Sequence, residues 1–392
     1  MARSVLGAAA AIALGASLAG IAYLAVAGRC MAAFGRRKIE FDGTPSITVF
    51  KPLFGLEPVL YENLCSFCDQ DYAPFQVIFG VSDPKDPALE IARRVQERFA
   101  SRDVCVVVGD AGSATNPKVA NLLSMAGAAT GDLFVIADSD MRVESSYLRS
   151  IAGPFSDPDV GAVTCLYKGV PMKGTPSALG AMFINEYFAP SVLVALRLGG
   201  LRFGFGATIA VRRAALAAIG GFEALAPHLA DDYQLGKLVS ERGWSVALSP
   251  YVVQNVIYEP TLGALWQHEL RWARTILAVR PLGYAFSGLT YPLPFALLYL
   301  ILSRNVALSL GLIIAAGGLR FALHDLTRTA LRTGSHCSPW LVPLRDALAF
   351  CVWGYSFLGR GVRWRGHDFT LEAGGRLKAK ERPEGDSSKR PA

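Results

Sequence analysis

The chain has 392 residues, enough for one sizeable catalytic domain and further elements; it is 52% hydrophobic with a formal charge of +7. So apolar a composition excludes nucleic acid as the reason for the positive balance and favours Lys and Arg beside anionic lipid. Seven scattered cysteines, an odd number, exclude a disulfide framework, and the lone CxxC at Cys65 and Cys68 has no second pair and a helical surrounding pattern.

Val5 to Ala27 is almost entirely apolar and long enough to cross a bilayer. A signal peptide competes, with Arg3 as its charged start and Ala25-Val26-Ala27 as its cleavage site. The run exceeds the roughly 7 to 15 residues of a signal core, and Arg29, Arg36, Arg37 and Lys38 follow at once. Residues 1–38 are therefore expected to form an anchor with its amino end outside and the next domain in the cytoplasm.

Residues 39–282 are expected to form that domain. From Ser46 to about Val256 short apolar runs alternate with helical patterns, which predicts an α/β sandwich with a largely parallel sheet. Strands are expected at Ile47 to Leu53, Phe75 to Val81, "VCVVVGD" and "LFVIA". Helices are expected at "EPVLYENLCSFCDQ", "PALEIARRVQERFA" and "PKVANLLSMAGAA". Ligands of such sheets bind beyond the carboxyl ends of the strands, where Asp83 and the pair Asp138 and Asp140 stand. Carboxylates at i and i+2 of an extended chain leave on the same side. They either cap the next helix or converge on a cation. Neither GxGxxG nor GxxxxGK occurs in this half, so a bound nucleotide needs another way to neutralise its phosphates. A divalent cation shared between carboxylates and phosphates meets that need.

A strand at Ala207 to Val211 leads through Gly220-Gly221-Phe222 to Asp231-Asp232-Tyr233. Adjacent carboxylates opening a helix are either favourable terminal charges or, after a glycine turn, a source of a catalytic base. In "WQHELRWARTILAV" His268, Arg271 and Trp272 share one helix face. That face suits an amphipathic helix at the membrane surface and equally the holding of a diphosphate above the bilayer.

Three apolar runs follow within residues 283–360: Phe286 to Leu302, broken by Pro292 and Pro294; Val306 to Leu319; and Leu341 to Leu358. The last two are expected to span and the first to lie in the interface or re-enter. Residues 361–392 are expected to form a basic, partly disordered tail, with low complexity only after Arg376.

The order of Asp83, "NPKVANL" (Asn116 to Leu122), "ADSD" (Ala137 to Asp140), "GGF" (Gly220 to Phe222), "ADDY" (Ala230 to Tyr233) and "HELRW" (His268 to Trp272) resembles the inverting GT-A glycosyltransferases. More narrowly, it is similar to the ceramide glucosyltransferase family and its bacterial relatives that glycosylate hopanoids, over roughly residues 45 to 370. The resemblance implies a GT-A nucleotide-sugar-binding sandwich with membrane segments at both ends. It implies that Asp83, helped by Lys118 and Asn121, holds the uracil or ribose of a UDP-sugar. Asp138 is then a nucleotide contact, Asp140 the ligand of Mg²⁺ or Mn²⁺, and Asp232 the general base. Arg271 and Trp272 match a (Gln/Arg)-x-x-Arg-Trp motif that here begins with His268. "VTCLYKG", "GATIAVRR" and "LWQHELRWARTI" resemble the hopanoid enzymes more closely, which implies transfer of N-acetylglucosamine to bacteriohopanetetrol at a bacterial inner membrane. Transfer of glucose to ceramide is the alternative. A small polysaccharide synthase, a metal-dependent lipid phosphotransferase and a non-catalytic membrane scaffold complete the range.

Overall fold

The computed structural model describes residues 2–36, 44–109, 114–334, 337–364 and 367–379. Helix α1 (Ala2–Phe34) is 33 residues, about 50 Å long. Arg37 and Lys38 of the expected basic flank lie outside the described residues, as does everything beyond 379.

The domain that follows alternates as the apolar pattern requires: β1 (Ile47–Leu53), α2 (Leu60–Cys68), β2 (Phe75–Val81), α3 (Ala88–Arg98), β3 (Asp103–Val108), α4 (Pro117–Ala126), β4 (Leu133–Ala137), β5 (Met141–Arg142) and α5 (Tyr147–Ala152). Then come β6 (Val160–Pro171), α6 (Thr175–Phe183), α7 (Ala189–Gly199), β7 (Thr208–Arg212), α8 (Arg213–Ala218), α9 (Asp231–Glu241), β8 (Ser245–Ile257) and α10 (Leu262–Val279). A π-helical turn, Ile184–Phe188, joins α6 to α7.

The eight-stranded sheet has the order β3-β2-β1-β4-β7-β6-β8-β5. Strands β1 to β4 are parallel neighbours, β7 runs against both β4 and β6, and β8 lies parallel to β6. Strand β1 is buried at every position because both faces are covered: Val49 packs in one core with Phe67 and Tyr147, and Phe50 in the other with Ile78 and Phe134. Strands β6 and β8 were not among the expected strands. Their pairing slips between Cys165 and Leu166, opposite Ser249 and Val252, so Pro250 sits at a bulge where its missing N–H breaks no ladder bond.

After α10 come α11 (Pro281–Ser287), α12 (Pro292–Ser303), α13 (Val306–Leu331) and α14 (Val342–Ser356). By length and composition, Val5–Phe34, Thr175–Gly199 and Val306–Leu331 are able to cross a membrane. Pro281–Thr290 and Pro292–Ser303, which include the run expected to lie in the interface or re-enter, form a pair bent by 68°, the geometry of a broken span or of a re-entrant loop. Ile12 and Leu18 of α1, Leu297 and Ile301 of α12, and Ile314 of α13 are exposed, an apolar surface suited to lipid. At Gly20 an added Cβ would stand 2.7 Å from the Leu289 carbonyl oxygen, so only glycine lets α1 meet the α11 to α12 bend.

Two expectations change here. The run Leu341 to Leu358 was expected to span, but α14 has 15 residues, about 22 Å, short of a bilayer core of about 30 Å. It also carries fully buried Arg345. Its place among apolar segments of span length goes to Thr175–Gly199, which is largely buried inside the protein. Within residues 361–392, expected to form a basic, partly disordered tail, the described residues 361–364 and 367–379 hold a three-stranded antiparallel sheet of β9 (Gly361–Trp364), β10 (His367–Leu371) and β11 (Leu377–Ala379). Its Val362, Phe369, Leu371 and Leu377 enclose Leu229.

Candidate active site at the carboxyl ends of the parallel strands

Asn116 fixes the geometry. Its side chain caps α4, accepting from the N–H groups of Lys118 (2.8 Å) and Val119 (3.2 Å), with Pro117 as the first helical residue. Its amide donates to the His228 carbonyl at 2.7 Å, and its N–H to that of Ala226. The start of α4 is thereby tied to the loop that delivers α9. Between them lies Lys118, with Nζ 2.8 Å from Asp138 Oδ1 and 3.2 Å from Asp231 Oδ2. Burial works against this ammonium, but Asp138, Asp231 and Asp232 outweigh it and hold Lys118 above its ordinary range.

The carboxylates that follow β4 and open α9 close on one glycine. A Cβ at Gly206 would lie 3.3 Å from Asp232 Oδ2 and 3.5 Å from Asp138 Oδ2. Burial, then Asp231, pushes the Asp232 carboxyl up to about 7, with Lys118 pulling the other way. An acid of that strength is placed where a general base is efficient.

Asp140 turns toward β8, accepting from Asn255 Nδ2 at 2.7 Å. Burial, with Glu57 and Asp138 nearby, raises its carboxyl to about 7. Neither Asp138 nor Asp140 caps a helix, since the two-residue β5 comes next. Among the described residues no three His, Cys, Asp or Glu side chains converge tightly enough to hold a metal alone. The mutually repelling Asp138, Asp140 and Glu57 are nevertheless hard oxygen donors, which suits Mg²⁺ or Mn²⁺ shared with substrate phosphates.

The sequence reading passed over Lys51, whose only signal was a lysine inside the apolar "ITVFKPL". Alternation along β1 turns it to the Phe67 side, with Nζ 3.8 Å from the ring centroid. It donates to the Asp138 carbonyl, and burial lowers it to about 8 against the pull of Asp140, Asp138 and Glu57. Tyr167 of β6, within "VTCLYKG", also borders the acids. Burial, together with Asp232, Asp138 and Asp140, raises its phenol well above the ordinary range, and its ring packs 4.4 Å from Phe188.

Asp83 is exposed at the end of β2, on the same sheet edge, its Oδ1 accepting from the Lys85 N–H. Asn121 is fully buried, and its amide donates to the carbonyls of Gly80 (2.8 Å) and Leu53 (3.4 Å). It therefore fastens the ends of β1 and β2 to α4 and does not face the cleft. On α10, His268 Nδ1 lies 2.7 Å from Glu259 Oε1 and its ring 4.3 Å from that of Trp272. Trp272 stacks on Phe183 at 6.1 Å, and Arg271 is half-buried beside them. Glu269, between His268 and Arg271, forms a two-pronged buried ion pair with Arg345, its oxygens 2.5 and 2.7 Å from the guanidinium. That pair binds α10 to α14.

Residues 12–377 match the family described as Glycosyl transferase family 21. Ceramide glucosyltransferase 3 of Caenorhabditis elegans is 24% identical over 87% of this chain and 76% of its own length. Ceramide glucosyltransferase 1 of the same organism is 26% identical over 62% of this chain, which spans about half of that relative (53%). Among solved structures, the mannosyltransferase PcManGT of Pyrobaculum calidifontis, in complex with GDP-Man and Mn²⁺, aligns over 88% of this chain and 99% of its own, at 18% identity and a TM-score of 0.51. This likeness shows a GT-A-type fold.

Proposed function

Because the chain belongs to glycosyl transferase family 21, and is thereby a nucleotide-sugar-dependent glycosyltransferase, we propose that it moves a sugar from a UDP-sugar to the hydroxyl of a membrane lipid with inversion at the anomeric carbon. The observation that carries this reading is the closure of Asp232 and Asp138 on Gly206, one base beside one candidate nucleotide contact.

In this reading Asp232 takes the acceptor hydroxyl's proton as that oxygen attacks the anomeric carbon. The bond from that carbon to the diphosphate breaks, and UDP departs with the bonding pair. No enzyme nucleophile intervenes, so the configuration inverts. Lys118 fixes Asp138 and Asp231 against each other, which keeps the base from collapsing onto the donor side. Asp83 contacts the uridine, and Arg271, with His268 and Trp272, faces the diphosphate. Asp140 would hold Mg²⁺ or Mn²⁺, which supplies charge neutralisation to the diphosphate. Loss of one such preorganised electrostatic contact typically costs about 10² to 10³ in rate.

The apolar α1 and α13 and the bent α11 to α12 pair support a multi-pass membrane protein; the Arg29, Arg36, Arg37 and Lys38 flank supports a catalytic domain in the cytoplasm, and the resemblance to the bacterial hopanoid enzymes supports the bacterial inner membrane. The motif resemblance supports N-acetylglucosamine and bacteriohopanetetrol as donor sugar and acceptor. The second reading, glucose to ceramide, is supported by the names of the two nematode relatives. A product assay by mass spectrometry separates them: detergent-purified protein with Mg²⁺ or Mn²⁺ is offered each lipid with UDP-glucose and UDP-N-acetylglucosamine. An N-acetylhexosaminyl hopanoid supports the first reading and a hexosyl-ceramide the second. Neither product, with no UDP released, overturns both.

A further inference from the structure

One buried carboxylate in the turn from β8 into α10, Glu259, takes no part in the chemistry above. Pro260 follows it and keeps it extended. Ser177 of α6 holds its backbone from both sides, accepting from the Glu259 N–H at 2.9 Å and donating to the Glu259 carbonyl at 3.4 Å. Thr261 then caps α10, accepting from the Ala264 N–H at 3.1 Å. Two turns later the helix brings His268 back over this corner, with Nδ1 2.7 Å from Glu259 Oε1. A carboxylate is costly to bury without a partner, and the Glu259 side chain is only 8% exposed, whereas that of His268 remains 33% exposed.

With Nδ1 tied inward to a carboxylate, the imidazole is kept from turning over and Nε2 is left at its outer edge. Both nitrogens donate when the ring is an imidazolium, Nδ1 to Glu259 and Nε2 outward. The Trp272 ring flanks it at 4.3 Å, and Arg271 shares the same helix face.

The strand that leads into this corner also borders the acids. Asn255 Nδ2 donates to Asp140 Oδ2 at 2.7 Å, and the Val256 N–H to the Asp140 carbonyl at 3.0 Å. Ile257, between Asn255 and Glu259, packs in one cluster with Trp272 and Tyr167, and Tyr167 lies in the field of Asp232, Asp138 and Asp140. A single packed layer, Trp272 and Tyr167, therefore lies between His268 and the acids.

We propose that Glu259 is a positioning residue for the donor's diphosphate: its carboxylate fixes His268 by Nδ1, so that the Nε2–H is presented to a phosphate oxygen on the face that carries Arg271. This rests on the reading above that gives that face to the diphosphate. The competing role is a tie that only fastens α10 to the end of β8.

The test measures the Kd of UDP and of UMP for the full chain in nanodiscs with Mn²⁺. Glu259→Gln keeps the shape of the side chain and an acceptor oxygen but removes the charge. It is expected to weaken UDP about tenfold or more, the worth of one hydrogen bond to a charged group. The affinity for UMP, which lacks the outer phosphate, should hold. His268→Gln supplies an amide donor that needs no carboxylate behind it, and in that background Glu259→Gln should add nothing. An unchanged UDP affinity in Glu259→Gln overturns the proposal. So does equal weakening of UDP and UMP, or the same weakening in both backgrounds, which is what a mere tie would give. Where Glu259→Gln fails to fold, Glu259→Asp, which keeps the charge but shortens the reach, decides by the same comparison. A parent protein that binds UDP no more tightly than UMP overturns the diphosphate face and the proposal with it. A parent that prefers UDP, with Glu259→Gln unaffected, overturns only the role of Glu259.

Discussion

Asp138 and Asp232 come from different elements, the end of β4 and the start of α9, and both carboxylates border Gly206. An added methyl would sit 3.3 Å from one and 3.5 Å from the other. Gly206→Ala is therefore expected to leave the fold intact, to push the Asp232 carboxylate by a few tenths of an ångström and to leave Asp138 in ordinary contact. A misplacement of about 1 Å costs up to about 10²-fold, so this smaller shift should lower transfer by no more than about tenfold. Steady-state kinetics beside a thermal melt check this; a larger loss in a folded Gly206→Ala would contradict it.

The pH dependence follows from Asp232. Burial and Asp231 lift its carboxyl from 3.8 to about 7, and a base acts only when ionised. So kcat/KM should rise through about pH 7 and fall tenfold per unit below it. Stability takes the opposite sign, because an acid raised on folding is best accommodated protonated: this residue's contribution weakens as pH climbs from about 4 to 7. In Asp232→Asn the acid limb should vanish while UDP-sugar binding persists, with transfer down about 10²- to 10⁴-fold.

Much of this arrangement was legible in the sequence. Short apolar runs ending in Asp83 and Asp138 placed both carboxylates on one sheet edge, because parallel strands end together. The glycine turn before Asp231 and Asp232 marked a helix start aimed at that edge. What escaped notice depends on contacts between remote segments. Strands β6 and β8 carry Gly161, Gly169 and Pro250, which weaken a strand signal until their mutual pairing is seen. Lys51 is a single lysine in an apolar strand, and nothing in the sequence places Phe67 and the Asp138 carbonyl around it. Asn121 had the right neighbours in sequence for a nucleotide contact, yet it is fully buried and its amide nitrogen is occupied by strand-end carbonyls. Helical periodicity put Glu269 opposite no particular partner; only the packing of α14 supplies Arg345.

Lys118 joins two carboxylates, so its removal leaves negative charge uncompensated. Lys118→Met is expected to cost about 2 to 3 kcal/mol, below the 3 to 5 of a fully buried pair because the Asp138 side chain is 36% exposed. Denaturation in detergent measures it. A variant as stable as the parent would show that Asp138 and Asp231 do not need this bridge.

The C-terminal sheet should matter to catalysis although it lies outside the acid cluster. Leu229 N–H donates to Gly375 O (3.1 Å) and Leu377 N–H to Pro227 O (2.9 Å), while Phe369 packs in the cluster around Leu229. Asn116 holds the same loop from the other side. Phe369→Ser is expected to raise amide exchange at residues 227–232 and lower transfer at least about tenfold, since the base is carried by that loop. Unchanged exchange would show that the sheet does not brace it.

The most direct measurement is the anomeric configuration of the lipid product made from a UDP-α-sugar, read by NMR coupling constants, with Asp232→Asn as the control. A β-linked glycolipid, formed with equimolar UDP and absent from the control, is the predicted result. An α-linked product, or undiminished product from Asp232→Asn, would contradict a single displacement with Asp232 as the base.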